Sequence, residues 1–257
     1  MSDIRPFRGL RPRPDLVDKV ASPPYDVLDS QEAREMAAGN PYSFLRVSKA
    51  EIDLPPDVDV HSPVVYDKSA ETFRRFIADG VLVFDERPSF YVYRLRMGDH
   101  EQRGLVAGVS AQEYEDGLIK KHEHTRREKE DDRARHTEKL RANAGPVLLT
   151  YRHRDDIRAL IDRACGERPV ADFVAADGIG HTLWRIDDPA QVSALQEAFA
   201  RLDAMYIADG HHRSASGFRA RNLLRDRNPR HTGQEAYNHF LAAIFPDDEL
   251  QIMGYHR

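Results

Sequence analysis

Two short polar stretches of this chain carry residue types that can do chemistry. The first is Asp209-Gly210-His211-His212-Arg213-Ser214. It follows an apolar run at 204–208 that reads as a buried strand, and it leads into residues 214–220, which read as the start of a helix. A strand, a glycine turn and a helix N-terminus make an anion site, because free backbone N–H groups and the positive end of the helix dipole point at whatever sits there. Phosphate suits this turn. An arginine fork matches its geometry, and His212, Arg213 and the Ser214 hydroxyl add donors to the N–H groups after Gly210. One exposed anion–helix contact contributes only about 0.3–1 kcal/mol, so useful affinity needs Arg213 and at least one histidine as well. A plainer reading stays open: Asp-Gly is a common turn, and adjacent histidines often only cap a helix.

The second stretch is Lys120-Lys121-His122-Glu123-His124-Thr125. In an extended backbone Lys121, Glu123 and Thr125 project to one side and His122 and His124 to the other. Two histidines two apart on a strand can share a metal, and a glutamate between them can act as a base. The metalloprotease arrangement of two histidines on one helical face is absent. The bland alternative is a solvated polar loop. Pro23-Pro24-Tyr25-Asp26 and Asn40-Pro41-Tyr42-Ser43 read first as rigid surface turns. Arg127, Arg133, Arg135 and Arg141 are interspersed with Glu128, Glu130, Asp131, Asp132 and Glu138, which predicts a solvated, ion-paired helix rather than a polyanion site. Cys165 has no motif around it and reads as structural.

The elements that must position these residues follow from periodicity and caps. Asp29, Glu32 and Gly39 predict a short helix opened by a capping box, and an extended stretch is expected over 42–47. Residues 54–63 read as an exposed loop. The spacing of Ala70, Phe73, Phe76 and Ile77 predicts a helix over 66–79. A strand over 90–97, with Tyr91, Tyr93, Leu95 and Met97 on one face and Arg94 and Arg96 on the other, turns at Gly98-Asp99 into a hairpin partner at 102–110. A charged helix at 126–142, a strand at 147–151 and a helix at 155–164 come next. Further strands are marked by Phe173 and by 183–186. Asp188-Pro189 opens a helix running to about residue 202, and 240–245 is a last buried strand. Hairpins and helices interspersed in this way predict an α+β fold, a mixed sheet with flanking helices, in a single domain spanning 1–257.

Composition sets the outer bounds. With 257 residues and 40% hydrophobic side chains the chain can bury a core. A formal charge of −5 argues against bulk nucleic-acid binding, and no helix-turn-helix is recognisable. The single cysteine precludes an internal disulfide and points to a reducing, cytoplasmic setting. No run approaches the ~20 apolar residues of a membrane helix, and residues 1–6 show no secretory signal.

Six segments occur in order: Arg5-Pro6-Phe7-Arg8-Gly9-Leu10-Arg11-Pro12, Ser22-Pro23-Pro24-Tyr25-Asp26-Val27, Asn40-Pro41-Tyr42-Ser43-Phe44-Leu45-Arg46-Val47, Lys121-His122-Glu123-His124-Thr125, Leu183-Trp184-Arg185-Ile186 and the turn from Tyr206 to Arg213. Together they resemble the bacterial and archaeal domain-of-unknown-function family ten-fifteen. Its members usually continue past the strand near 240–245, which implies either a short member or the N-terminal part of a longer architecture. The turn at 209–213 also resembles the phosphate-binding turn of the ParB/sulfiredoxin superfamily, which includes free-serine kinases. His211 stands where sulfiredoxins carry their reactive cysteine, so thiol chemistry is not expected, and the Asp-Gly-His-His-Arg form is closer to the kinases. Family genes tend to lie beside serine-biosynthesis genes.

The resemblance therefore implies a phosphotransferase acting on a small hydroxyl metabolite such as serine or phosphoserine. A nucleotide or other phosphate donor and Mg²⁺ are the expected cofactors. Phosphates would sit at Gly210, His212, Arg213 and Ser214. Asp209 would bind Mg²⁺ or orient the acceptor, and Glu123 would be the base, assisted by His122 or His124, with His211 beside them. Pro24, Tyr25, Asp26 and Lys121 would bind substrate. Two alternatives use the same residues: a nucleotide-binding or nucleotide-hydrolysing regulator of ParB-like type, and a metal-dependent phosphatase with His122, His124, Asp209 and His211 as ligands.

Overall fold

Caps and apolar spacing build the elements of the structure, a computed structural model that describes residues 2–254. Met1 and residues 255–257, where the single-domain reading begins and ends, lie outside the described residues. In chain order the elements are β1 (Ile4–Arg5), β2 (Leu10–Pro12), α1 (Val17–Val20), α2 (Ser30–Met36), α3 (Leu45–Ser48), α4 (Pro63–Ala78), β3 (Leu82–Phe84), β4 (Phe90–Met97), β5 (His100–Ser110) and α5 (Ala111–Glu115). They continue with β6 (Ile119–Lys120), α6 (Arg127–Leu140), β7 (Val147–Tyr151), α7 (Asp155–Cys165), β8 (Ala171–Val174), β9 (Gly180–Ile186), α8 (Pro189–Phe199), β10 (Met205–Asp209), α9 (His211–Asp226) and β11 (His239–Pro246). The expected α+β class holds, with helices flanking a large mixed sheet.

The main sheet runs β6-β10-β7-β11-β5-β4-β9-β8, with β1 also paired to β5. Most neighbours are antiparallel, but β6 with β10 and β7 with β11 are parallel. Its core joins Leu105, Ala107, Leu149, Phe240 and Ile244 of the strands to Ile157 and Ile161 of α7 and Leu195 and Phe199 of α8. A second core gathers Leu16, Val20, Val47, Phe73, Phe76 and Leu82 of the N-terminal helices and the β2–β3 ribbon. Leu140 of α6 belongs to that second core, and α6 packs on both α4 and α9. The charged helix is thus the wall between the two layers, and the space beside it is the main cleft.

Local signals decided several elements. Asp29 accepts from the N–H groups of Gln31 and Glu32 while Glu32 returns a bond to the Asp29 N–H, completing the capping box of α2. Asp188 caps α8 with Pro189 at its first turn. The extended stretch expected over 42–47 is instead a turn followed by α3. Asn40 Oδ1 accepts from the Tyr42 N–H at 3.0 Å and Arg46 Nε donates to the Asn40 carbonyl at 3.0 Å, which winds the chain up. Leu45 and Val47 look like a strand alternation, yet each is fully buried in a different cluster. Positions two apart on a helix point nearly opposite ways, so α3 can feed both.

Candidate functional site

Parallel pairing of β6 with β10, Ile119 opposite Met205 and Lys120 opposite Tyr206, brings the carboxyl ends of these strands side by side. The two polar stretches of the sequence leave from those ends, so the pairing joins them in space. Ligands in sheets with such parallel ends bind just beyond them. The β10–β7 ladder also shifts register between Ile207 and Asp209, a bulge that re-aims the end of the strand.

Gly210 follows with φ of 90°, the left-handed region that favours glycine. A Cβ there would lie 3.1 Å from Arg213 Nε and 3.2 Å from Cζ, so the turn needs glycine for space as well. Helix α9 begins at His211, earlier than the 214 start expected, and its N-terminus has no side-chain cap. The His-His-Arg triplet is therefore its first turn. The backbone N–H groups of this turn are the donors that a helix N-terminus offers to an anion.

His211 is buried, and Glu123 Oε2 stands 3.4 Å from its Nδ1. Its Nε2 accepts a long bond, 3.5 Å, from the His122 N–H, and the two imidazoles meet edge to face at 4.4 Å. Burial, then the neighbouring His122, depresses the His211 pKa, so the ring is neutral near pH 7. With Nε2 accepting, its proton sits on Nδ1 and faces the Glu123 carboxylate. His212 Nε2 accepts from the Arg126 N–H at 3.1 Å, which leaves its Nδ1 as the protonated nitrogen.

Arg213 is less free than its place in the sequence suggests. Its guanidinium donates to Asp209 Oδ2 and to the Pro146 carbonyl, and Asp26 Oδ2 lies 3.7 Å away. Its Nε is buried without a hydrogen-bond partner. Ser214 is fully buried and gives its hydroxyl proton to the Gly210 carbonyl at 3.1 Å, so that hydroxyl belongs to the helix.

A cleft of about 740 Å³ opens over this turn, within the size range of small-molecule sites. Tyr25, Asp26, Glu123 and the turn from Asp209 to Arg213 all line it. Pro24, Lys121, His122, His124 and Ser214 do not. Pro24 is exposed, and Lys121 Nζ sits 3.7 Å from the centre of the Tyr114 ring. The strand alternation expected for 121–125 does not form, because β6 ends at Lys120.

The far wall comes from α6, whose Lys129 and His136 the charge pattern does not single out. Lys129, Asp132, Arg133 and His136 of α6 line the cleft, where a solvated, ion-paired helix was expected. Their spacing of i, i+3, i+4 and i+7 was the available signal, hidden because its neighbours are also charged. Asp132 accepts from the Tyr66 hydroxyl at 2.5 Å and from its neighbour Arg133 at 2.7 Å. Burial alone would raise the Asp132 pKa, but Arg133, Tyr66 and His61 together hold it below the usual carboxylate range. The Arg133 guanidinium lies over the Tyr25 ring at 4.1 Å. Burial, and Arg133 beside it, push His136 down to about 4.

Hard carboxylate oxygens are present at Asp26, Glu123 and Asp209, all lining the same cleft. Among the described residues no group of three or more His, Cys, Asp or Glu side chains is placed to hold one metal ion. His122, His124, Asp209 and His211 are not gathered into such a set. Mg²⁺ commonly takes one or two carboxylates plus substrate phosphates, and this donor set fits that mode.

Fold and cleft define a mixed α+β protein with an uncapped helix N-terminus at a polar, two-walled pocket. The chain belongs to the family described as Protein of unknown function (DUF1015), whose model matches residues 4–257. No curated protein and no solved structure matches it. No helix among the described residues is long and apolar enough to cross a membrane.

Proposed function

We propose that the chain is a phosphotransferase that moves a phosphoryl group between a nucleotide or other phosphate donor and a small hydroxyl metabolite such as serine or phosphoserine. The observation that carries this reading is the meeting of Glu123 and His211, 3.4 Å apart, at the uncapped N-terminus of α9 inside one cleft. Phosphoryl transfer needs positioning and charge neutralisation more than covalent help, and these parts supply both. The N–H groups of the first turn of α9 and the His212 Nδ1–H hold phosphate oxygens. Arg213 shapes the turn through Asp209 and adds its charge. Neutral His211 steadies one oxygen of Glu123, and the other accepts the acceptor's hydroxyl proton. The hydroxyl oxygen then bonds to phosphorus while the bond from phosphorus to the donor's leaving oxygen breaks, and that oxygen keeps the electron pair. Mg²⁺, carried in with the phosphates, would meet Asp209 or Asp26 and offset their charge.

Phosphorus NMR on the purified chain with Mg²⁺ and L-serine plus ATP, ADP or pyrophosphate, with phosphoserine in a parallel tube, tests this. A growing phosphoserine signal that disappears in Arg213→Ala is the expected result. Binding of nucleotide with no serine-dependent turnover would move the assignment to a ParB-like regulator. Loss of phosphoserine to inorganic phosphate alone would move it to a phosphatase.

A further inference from the structure

Behind the main cleft lies a small annex of about 40 Å³. One water needs roughly 10–15 Å³ by this measure, so the annex has room for about three waters or one small oxyanion group. Arg133 and Arg213 both line it, together with His136, Thr137, Asn143 and Gly145. No aspartate or glutamate does. The acids that pair with these arginines, Asp26, Asp132 and Asp209, line the main cleft instead. Charge is thus partitioned: two guanidiniums border both spaces, while every carboxylate stays on one side.

His136 contributes no charge at neutral pH, since burial and Arg133 beside it push it down to about 4 even though its Nε2 faces the Val47 carbonyl at 3.2 Å. The attraction therefore rests on the two arginines, whose planar forks suit carboxylate and phosphate alike.

We propose that this annex is a second anion subsite, distinct from the α9 N-terminus, that takes the terminal carboxylate or phosphate of a ligand whose body lies in the main cleft. Tyr25, Ser48, Arg133, His136 and Arg213 line both spaces, so one ligand can reach from cleft to annex. The site selects acids over neutral hydroxyl compounds. It does not rest on phosphoryl transfer, and it would serve a hydrolase or a binding protein equally.

The test is calorimetric titration of the full chain with inorganic phosphate and, separately, acetate, at fixed ionic strength. Thr137 and Asn143 border only the annex, whereas His212 borders only the cleft. The expected result is saturable binding that weakens at least tenfold in Asn143→Leu and in Arg133→Met and falls in Thr137→Val. Phosphate binding stronger than acetate assigns a phosphate terminus, and the reverse order a carboxylate. Binding kept at parent strength in the three annex variants would overturn the annex, and its loss in His212→Gln would then place the anion at the helix terminus. No saturable binding of either probe would overturn it too. Thermal melts confirm that each variant is folded.

Discussion

Replacing Gly210 by alanine probes the turn that the whole site hangs on. Two costs can be worked from the structure. A φ of 90° puts alanine in the left-handed region, at about 1–2 kcal/mol. The new methyl then sits 3.1–3.2 Å from Arg213 Nε and Cζ, tighter than the guanidinium can accept without moving. Moving it by a few tenths of an ångström strains the bond to the Pro146 carbonyl, a charged hydrogen bond whose full loss would cost roughly 1.5–3 kcal/mol. The Asp209 partner is 65% exposed, so losing that pair adds about 0–1 kcal/mol. With partial relaxation the sum is about 2–4 kcal/mol, or a fall in melting temperature of roughly 5–15 °C for a chain of this size.

Urea unfolding and thermal melts of the full chain measure this loss. A double-mutant cycle separates its two parts. In the Arg213→Ala background the obstacle is gone, so Gly210→Ala should cost only the backbone term of about 1–2 kcal/mol. Equal costs in both backgrounds would refute the close approach of the guanidinium to Gly210. A Gly210→Ala protein as stable as its parent would refute the left-handed cap as well.

Three further outcomes are expected. Glu123→Gln lowers turnover about 10²–10⁴-fold in the phosphorus NMR assay while leaving donor affinity near its parent value, and unchanged turnover would remove Glu123 as the base. His136, held at about 4 in the fold against its ordinary value of 6.5, contributes stability that is present above pH 6.5 and drains away as pH falls toward 4, about 3 kcal/mol in all. Urea midpoints taken across pH 4–7.5 should show that slope flattened in His136→Gln, and an identical slope would place the titration elsewhere. Asp85 is buried, with Arg11 at 2.5 Å, Arg185 at 3.1 Å and the Tyr91 hydroxyl at 2.5 Å, so Asp85→Ala strips half-buried Arg11 and the Tyr91 hydroxyl of their acceptor and costs about 1.5–3 kcal/mol by denaturant unfolding. A loss below 1 kcal/mol would show that this network does not hold the N-terminal segment to the sheet.

Most elements were legible in the chain because their signals are local. The capping box at Asp29 and Glu32, the Asp188-Pro189 helix start and the spacing of Ala70, Phe73 and Phe76 each work within a few residues. The turn at 209–213 was legible for the same reason: strand, glycine and helix are contiguous, and Gly210 alone dictates the bend. The stretch at 42–47 misled because a two-residue apolar alternation serves a helix equally well when it must feed two cores at once. Only the tertiary structure decided that Glu123 meets His211 across a separation of 88 positions, since the parallel pairing of β6 with β10 is a long-range choice that no local pattern records. It also decided that Arg213 is held by Asp209 and the Pro146 carbonyl, and that α6 turns Asp132, Arg133 and His136 toward the cleft. A sequence fixes which groups can carry charge or accept a proton. Which of them face one another depends on strand order and helix docking, because those follow from burying three hydrophobic clusters built from distant parts of the chain.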